Sequence, residues 1–176
     1  MATLLISENR VKKLTGLDEN ITSDQLSNFI LQAQDLIVQS VLSTRFFNHI
    51  KDAVVAGTLT DDEKELLNNY IGPVLAHYSF YYALPSLNYK AKNKSVLKGT
   101  SEEAVNVDLT EFKILRSSVL VTAEFYESRL REFLCDFSHL FPLYLNNDGI
   151  GMPASGNQDS STGLFIPKKN RKSWLN

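Results

Sequence analysis

The chain has 176 residues, of which 43% are hydrophobic and 22% charged, with a formal net charge of −2. A chain of roughly 100–200 residues is one domain with short extensions, and this balance lacks the large basic excess of proteins that coat nucleic acid or charged membranes. The single cysteine, Cys135, rules out an internal disulfide and fits a reducing compartment.

Residues 1–6 read as a short apolar arm. They lack a basic stretch followed by an apolar run, so no signal peptide is expected, and no window reaches the ~18 apolar residues of a membrane span. Ser7 caps a brief helix that Gly16 stops. Thr22 and Gln25 form a capping box. After it Leu26, Phe29, Ile30, Ala33, Leu36, Ile37, Val41 and Leu42 recur in steps of three and four. That spacing predicts one helix over residues 23–47 with Leu36 in the core.

Gly57 marks a turn, and a second capping box follows at Thr60 and Glu63. The stripe Leu66, Leu67, Tyr70, Ile71, Val74, Leu75, Tyr78, Tyr82 predicts a second helix, kinked at Gly72-Pro73 and ended by Pro85. Tyr70, Tyr78, Phe80, Tyr81 and Tyr82 form an aromatic group. They continue an apolar stripe, which assigns them to core or a subunit interface ahead of base stacking.

Residues 88–106 read as a loop or small hairpin that turns at Gly99. A third helix begins near Asp108 or Thr110 and runs to about Phe137. Its stripe is Phe112, Leu115, Val119, Ala123, Tyr126, Leu130, Phe133, Leu134 and Phe137, and Pro142 closes the helical part.

From Asn146 the composition changes: four of the eight glycines fall between Asn146 and Gly163. Such a stretch has too little apolar surface to offset its ordering entropy. The division is therefore a helical domain over residues 1–145 and a flexible C-terminal arm over 146–176. The arm ends in Phe165, Ile166, Pro167, Lys168, Lys169, Arg171, Lys172 and Trp174. A basic tract can open a nuclear-import signal or touch an acidic partner, and the flanking aromatics favour a docking tail.

No pattern of catalytic chemistry emerges. Cys135 and His139 share a helical spacing, but a zinc site needs further ligands that no motif supplies, so Cys135 is assigned as a buried structural thiol. The stretch from Asp18 to Asp24 imitates a calcium loop, but has Ser23 where glycine is required and Phe29 where the bidentate glutamate belongs. Gly149-Ile150-Gly151 has neither the preceding strand nor the following helix of a phosphate loop. A helix-turn-helix over residues 7–47 would need positive charge. Between Thr15 and Thr44 there is no lysine or arginine, whereas Asp18, Glu19, Asp24 and Asp35 are acidic. The expectation is a protein without catalytic residues, cofactor or metal.

The layout has a likeness. A short first helix leads into the capped helix from Ile21-Thr22-Ser23-Asp24-Gln25-Leu26 to Phe47, then a tyrosine-rich helix and the Gly99 loop. The last helix carries Ala123-Glu124-Phe125-Tyr126-Glu127-Ser128-Arg129-Leu130-Arg131-Glu132-Phe133-Leu134. Over residues 6–134 this resembles the head–tail connector (adaptor) proteins of tailed bacteriophages, especially the neck ring proteins of crAss-like phages of gut Bacteroides. The resemblance implies an all-α bundle of three long helices plus a short N-terminal helix, with an extended C-terminal arm. It implies a non-enzymatic virion protein, assembled in the bacterial host cytoplasm. Such a protein forms a twelve-membered ring beneath the portal, contacts adjacent neck or tail proteins, and lines the DNA channel without touching a membrane. The polar insertion 146–163 departs from that family and leaves the arm's target open. The alternatives from other classes are a small helical regulatory or adaptor protein and a DNA-binding terminase small subunit.

Overall fold

The computed structural model describes residues 3–17, 23–92, 95–98, 109–145 and 151–154. It is mostly helical, of the all-α class: α1 (Glu8–Thr15), α2 (Ser23–Ala33), a π-helical turn (Gln34–Val38), α3 (Gln39–Leu42), α4 (Thr44–Ala56), α5 (Asp61–Glu65), a second π-helical turn (Leu66–Ile71), α6 (Gly72–Asn88), α7 (Leu109–Asp136), a 3₁₀ turn (Ser138–Leu140) and α8 (Pro142–Leu145). Between α6 and α7 lies an antiparallel hairpin, β1 (Tyr89–Lys92) and β2 (Ser95–Lys98), in the register Tyr89 opposite Lys98 and Lys92 opposite Ser95. Gly99, the expected turn, follows β2 and lies outside the described residues.

Helix α6 is the centre, packing against α1, α2 and α7. It buries Val74, Leu75, Ala76, Tyr78, Ser79, Ala83 and Leu84, which point in several directions, because a helix apolar most of the way round must be covered on most sides. Two caps form as the sequence predicts. Ser7 accepts from the Arg10 N–H, with Gly16 left-handed at the other end of α1, and Thr60 and Glu63 complete their reciprocal box. The Thr22 cap lies outside the described residues.

The long helix predicted over residues 23–47 is interrupted, and one residue is misplaced in it. At the first π turn the Gln39 N–H bonds the Gln34 carbonyl, five residues back. Across the turn the extra residue carries the apolar buried series from Ala33 to Val38, a step of five where an α-helix gives three or four. Leu36, expected in the core, is rotated outward and stands 54% exposed. In its place the Gln34 amide is buried, accepting from the Leu5 N–H (2.8 Å) and donating to the Thr3 carbonyl (3.1 Å). The N-terminal arm is thereby fixed, with Leu5 and Ile6 in the core.

The helix then stops at Ser43, whose φ of 74° and ψ of 155° lie in a region that favours glycine. The Ser43 side chain caps α4 by accepting from the Phe46 N–H (3.4 Å). Residues 151–154 brace this corner. The Thr44 N–H donates to the Met152 carbonyl (3.0 Å), the Met152 N–H donates to Thr44 Oγ1 (2.8 Å), and Ala154 is buried. Gly151 has a φ of 88°, and a Cβ there would stand 2.7 Å from the Thr44 Cβ. Replacing Ser43 by glycine is expected to raise stability by about 1 kcal/mol, because relief of a strained backbone (about 1–3 kcal/mol) outweighs a weaker cap and a floppier unfolded chain. Urea unfolding measures it, and a loss of stability would show that the cap outweighs the strain.

The second π turn explains how the helix passes Gly72-Pro73. The Gly72 N–H bonds the Leu67 carbonyl, so the next acceptor, the Asn68 carbonyl, faces Pro73, which has no N–H. Arg10 fills the vacancy: Nη2 donates to the Asn68 carbonyl and Nη1 to its side-chain Oδ1, both at 2.5 Å. Arg10 crosses over Gly72, where a Cβ would lie 3.4 Å from the guanidinium carbon. Two other proline expectations are corrected. Pro85 sits inside the last turn of α6, which continues to Asn88; so close to a helix end the lost bond disrupts little. Pro142 opens α8 instead of closing the helical part, since a proline is tolerated in the first turn.

Candidate assembly surface

Helix α7 is bound to α6 along its inner face, where Val119, Ala123, Leu130 and Leu134 are buried. Three members of the predicted aromatic group, Tyr70, Tyr78 and Tyr81, reach α7. Tyr78 is buried and donates to Glu127 Oε2 (2.5 Å), while Arg131 holds Glu127 Oε1 through Nη2 (2.5 Å) and Nε (3.1 Å). Burial, with the Glu127 carboxylate beside it, pushes the Tyr78 hydroxyl well above the ordinary tyrosine range, so it stays a proton donor. Tyr70 stacks on Phe133 with centroids 3.9 Å apart, and Arg129 covers the Tyr70 ring at 4.9 Å. His77 stacks on Tyr126 (4.9 Å), and burial lowers its pKa, favouring the neutral ring. Arg116 lies over Tyr81 at 4.6 Å. These tyrosines are engaged within the chain, as the continuation of the apolar stripe predicts.

The opposite face of α7 is apolar as well. Ile114, Val121 and Phe125 stand 65%, 62% and 63% exposed. Their spacing of seven and four places them on one side of the helix, a stripe about 16 Å long at 1.5 Å per residue. Exposed Glu111, Glu124, Glu132 and Asp136 flank it, against exposed Lys113 and Arg129. Leu115 and Phe137, assigned to the core from sequence, are also largely exposed (47% and 43%). Ile114, Val121 and Phe125 fall outside the inner stripe that the helical period picks out. Their i, i+7, i+11 recurrence was the available sign of a second apolar face.

Cys135 is exposed, which corrects its assignment as a buried thiol: α7 turns Leu134 inward and the next residue outward. Nor do Cys135 and His139 share a helix, because α7 ends at Asp136 and His139 lies in the 3₁₀ turn. Among the described residues no three His, Cys, Asp or Glu side chains come together in a metal-binding group. No helix there is long and apolar enough to cross a membrane. Phe165, Ile166, Pro167, Lys168, Lys169, Arg171, Lys172 and Trp174, expected from sequence to dock, lie outside the described residues, as do residues 18–22 of the calcium-like stretch.

A second polar cluster joins α4 to α5. Glu63 is buried; its Oε2 accepts from the Thr60 N–H (2.8 Å), and its Oε1 meets His49 Nε2 (2.7 Å). Burial raises the Glu63 pKa, but the bonds from Thr60 and the His49 partner together outweigh it and hold the carboxyl below its ordinary 4.5. A depressed folded pKa contributes stability above the unfolded value, and that contribution is lost as pH falls below about 4.5 and through the folded pKa. Glu63→Gln is therefore expected to be less stable than the parent at neutral pH, with the difference shrinking in acid. Urea midpoints from neutral pH down to acid measure this, and a constant difference would show that Glu63 ionisation contributes nothing.

The fold and this surface describe an all-α protein whose last long helix is apolar on both sides. The chain belongs to a family of unknown function, DUF6712, whose match covers residues 33–153, from the end of α2 to the segment braced on Thr44. No curated protein and no solved structure matches it.

Proposed function

We propose that the protein is a structural component of a phage neck, a ring-forming connector between portal and tail. The observation that carries this reading is the outer stripe of α7. A helix that buries one apolar face against α6 and exposes another of similar length fits a protein whose surface is completed by assembly. The layout on which the resemblance to head–tail connectors rests supports the same reading. The three long helical units, over residues 23–42, 61–88 and 109–136, would form the bundle of each subunit. The ring would surround the DNA channel without reading sequence, its subunits touching the portal above and a tail component below.

Electron microscopy of the chain mixed with the portal protein of the same genome tests this. Rings seated on the portal are expected. Absence of any portal binding overturns the connector reading, and a salt-dependent affinity for DNA in its place would favour a terminase small subunit.

A further inference from the structure

We propose that the outer stripe of α7 is the docking site for residues 164–175 of a neighbouring copy of the chain, an inference that rests on the ring-forming reading above. The stripe offers three apolar side chains, Ile114, Val121 and Phe125, in a row about 16 Å long. The C-terminal segment carries three large apolar anchors, Phe165, Ile166 and Trp174. Their separation spans about 14 Å in a helix and about 30 Å fully extended, so the anchors can straddle the stripe. Charge matches as well. Lys168, Lys169, Arg171 and Lys172 lie between the anchors, and the exposed side of α7 carries Glu111, Glu124, Glu132 and Asp136 against Lys113 and Arg129.

The root of the segment is fixed. Ala154 is buried and Met152 is bonded twice to Thr44, so the last described residues before the segment are held at the α3–α4 corner. From Ala154 to Phe165 the chain can reach about 36 Å. That is long enough to reach beyond the body of its own chain, and among the described residues the stripe is left exposed. Once copies are gathered in a ring, the high local concentration of tails makes a weak single contact sufficient.

Trp174 is the only tryptophan in the chain and reports directly on docking. In the full-length protein its emission is expected to shift to shorter wavelength as concentration rises, together with growth in mass by light scattering. Val121→Asp and Phe125→Asp, both at exposed positions, are expected to abolish the shift while leaving the helical circular dichroism and melting temperature unchanged. Neutralising the four basic residues is expected to raise the concentration needed by about tenfold at low salt and less at high salt.

A concentration-independent shift in a monomer would mean that the tail docks on its own chain, and would overturn the proposal. So would a shift that survives Val121→Asp, or emission equal to that of the free peptide 164–176 at every concentration. Portal binding is read separately. Rings that form on the portal with Val121→Asp as well as with the parent would leave the connector reading standing and sink the docking site alone.

Discussion

Leu130→Ala is expected to cost about 2–5 kcal/mol of stability, whereas Leu36→Ala is expected to change it by less than about 0.5 kcal/mol. Leu130 is fully buried at the α6–α7 seam, between the layers of Ala123 and Leu134. Truncating it removes three carbons' worth of buried apolar surface and leaves a cavity that rigid helices cannot close. Leu36 lies on a helix with the same amphipathic pattern, and periodicity alone gives the two residues equal weight. The π turn separates them, because its extra residue turns Leu36 to solvent and Val38 to the core. Chemical denaturation of both variants measures the contrast. A loss at Leu36 comparable to that at Leu130 would mean that residues 23–42 form an uninterrupted α-helix and that the π turn is absent.

The second large effect is expected at Gln34. Gln34→Leu keeps the volume nearly constant but removes both bonds to the N-terminal arm. The Leu5 N–H then loses its partner inside the core, and the Thr3 carbonyl loses its donor. A buried unsatisfied group costs about 1–3 kcal/mol, part of which the added apolar burial offsets, so a net loss of about 2 kcal/mol is expected. Gln34→Glu distinguishes hydrogen bonding from shape. An ionised carboxylate can still accept from Leu5, but it sets a negative oxygen against the Thr3 carbonyl in a buried site. Burial raises the folded pKa of such a group, so its destabilisation is greatest above that pKa. It fades as pH falls and the acid becomes a donor to Thr3. Unfolding midpoints taken against the parent at each pH follow this. A pH-independent loss for Gln34→Glu would show that charge has no part in the defect.

Local chemistry made several features legible in the sequence. Ser7, Gly16, Gly57, Thr60 and Glu63 act on backbone groups within a few residues of themselves, so their roles as caps and stops do not depend on the rest of the chain. The inner stripe of α7 was readable for a similar reason: an uninterrupted α-helix keeps its 3.6-residue period over its whole length, and Val119, Ala123, Leu130 and Leu134 are buried as that period requires.

Other features were set by distant partners. Both π turns shift the period by one residue, and each is tied to a residue far along the chain. Gln34 meets Thr3 and Leu5, while Arg10 takes the Asn68 carbonyl that Pro73 cannot serve. Ser43 breaks a stripe that reads as continuous through Phe47, and the break is braced by Met152, over a hundred residues away in sequence. The outer face of α7 belongs with these. Ile114, Val121 and Phe125 are as apolar as the residues buried opposite them, and only the placement of α6 decides which side of the helix is covered. The sequence by itself thus determined the caps, the all-α class and the inner stripe, because those depend on neighbours within one or two turns. The helix break, the exposed leucine and the two-faced last helix were decided by tertiary structure, because each depends on which distant group fills a vacant hydrogen bond or covers an apolar side.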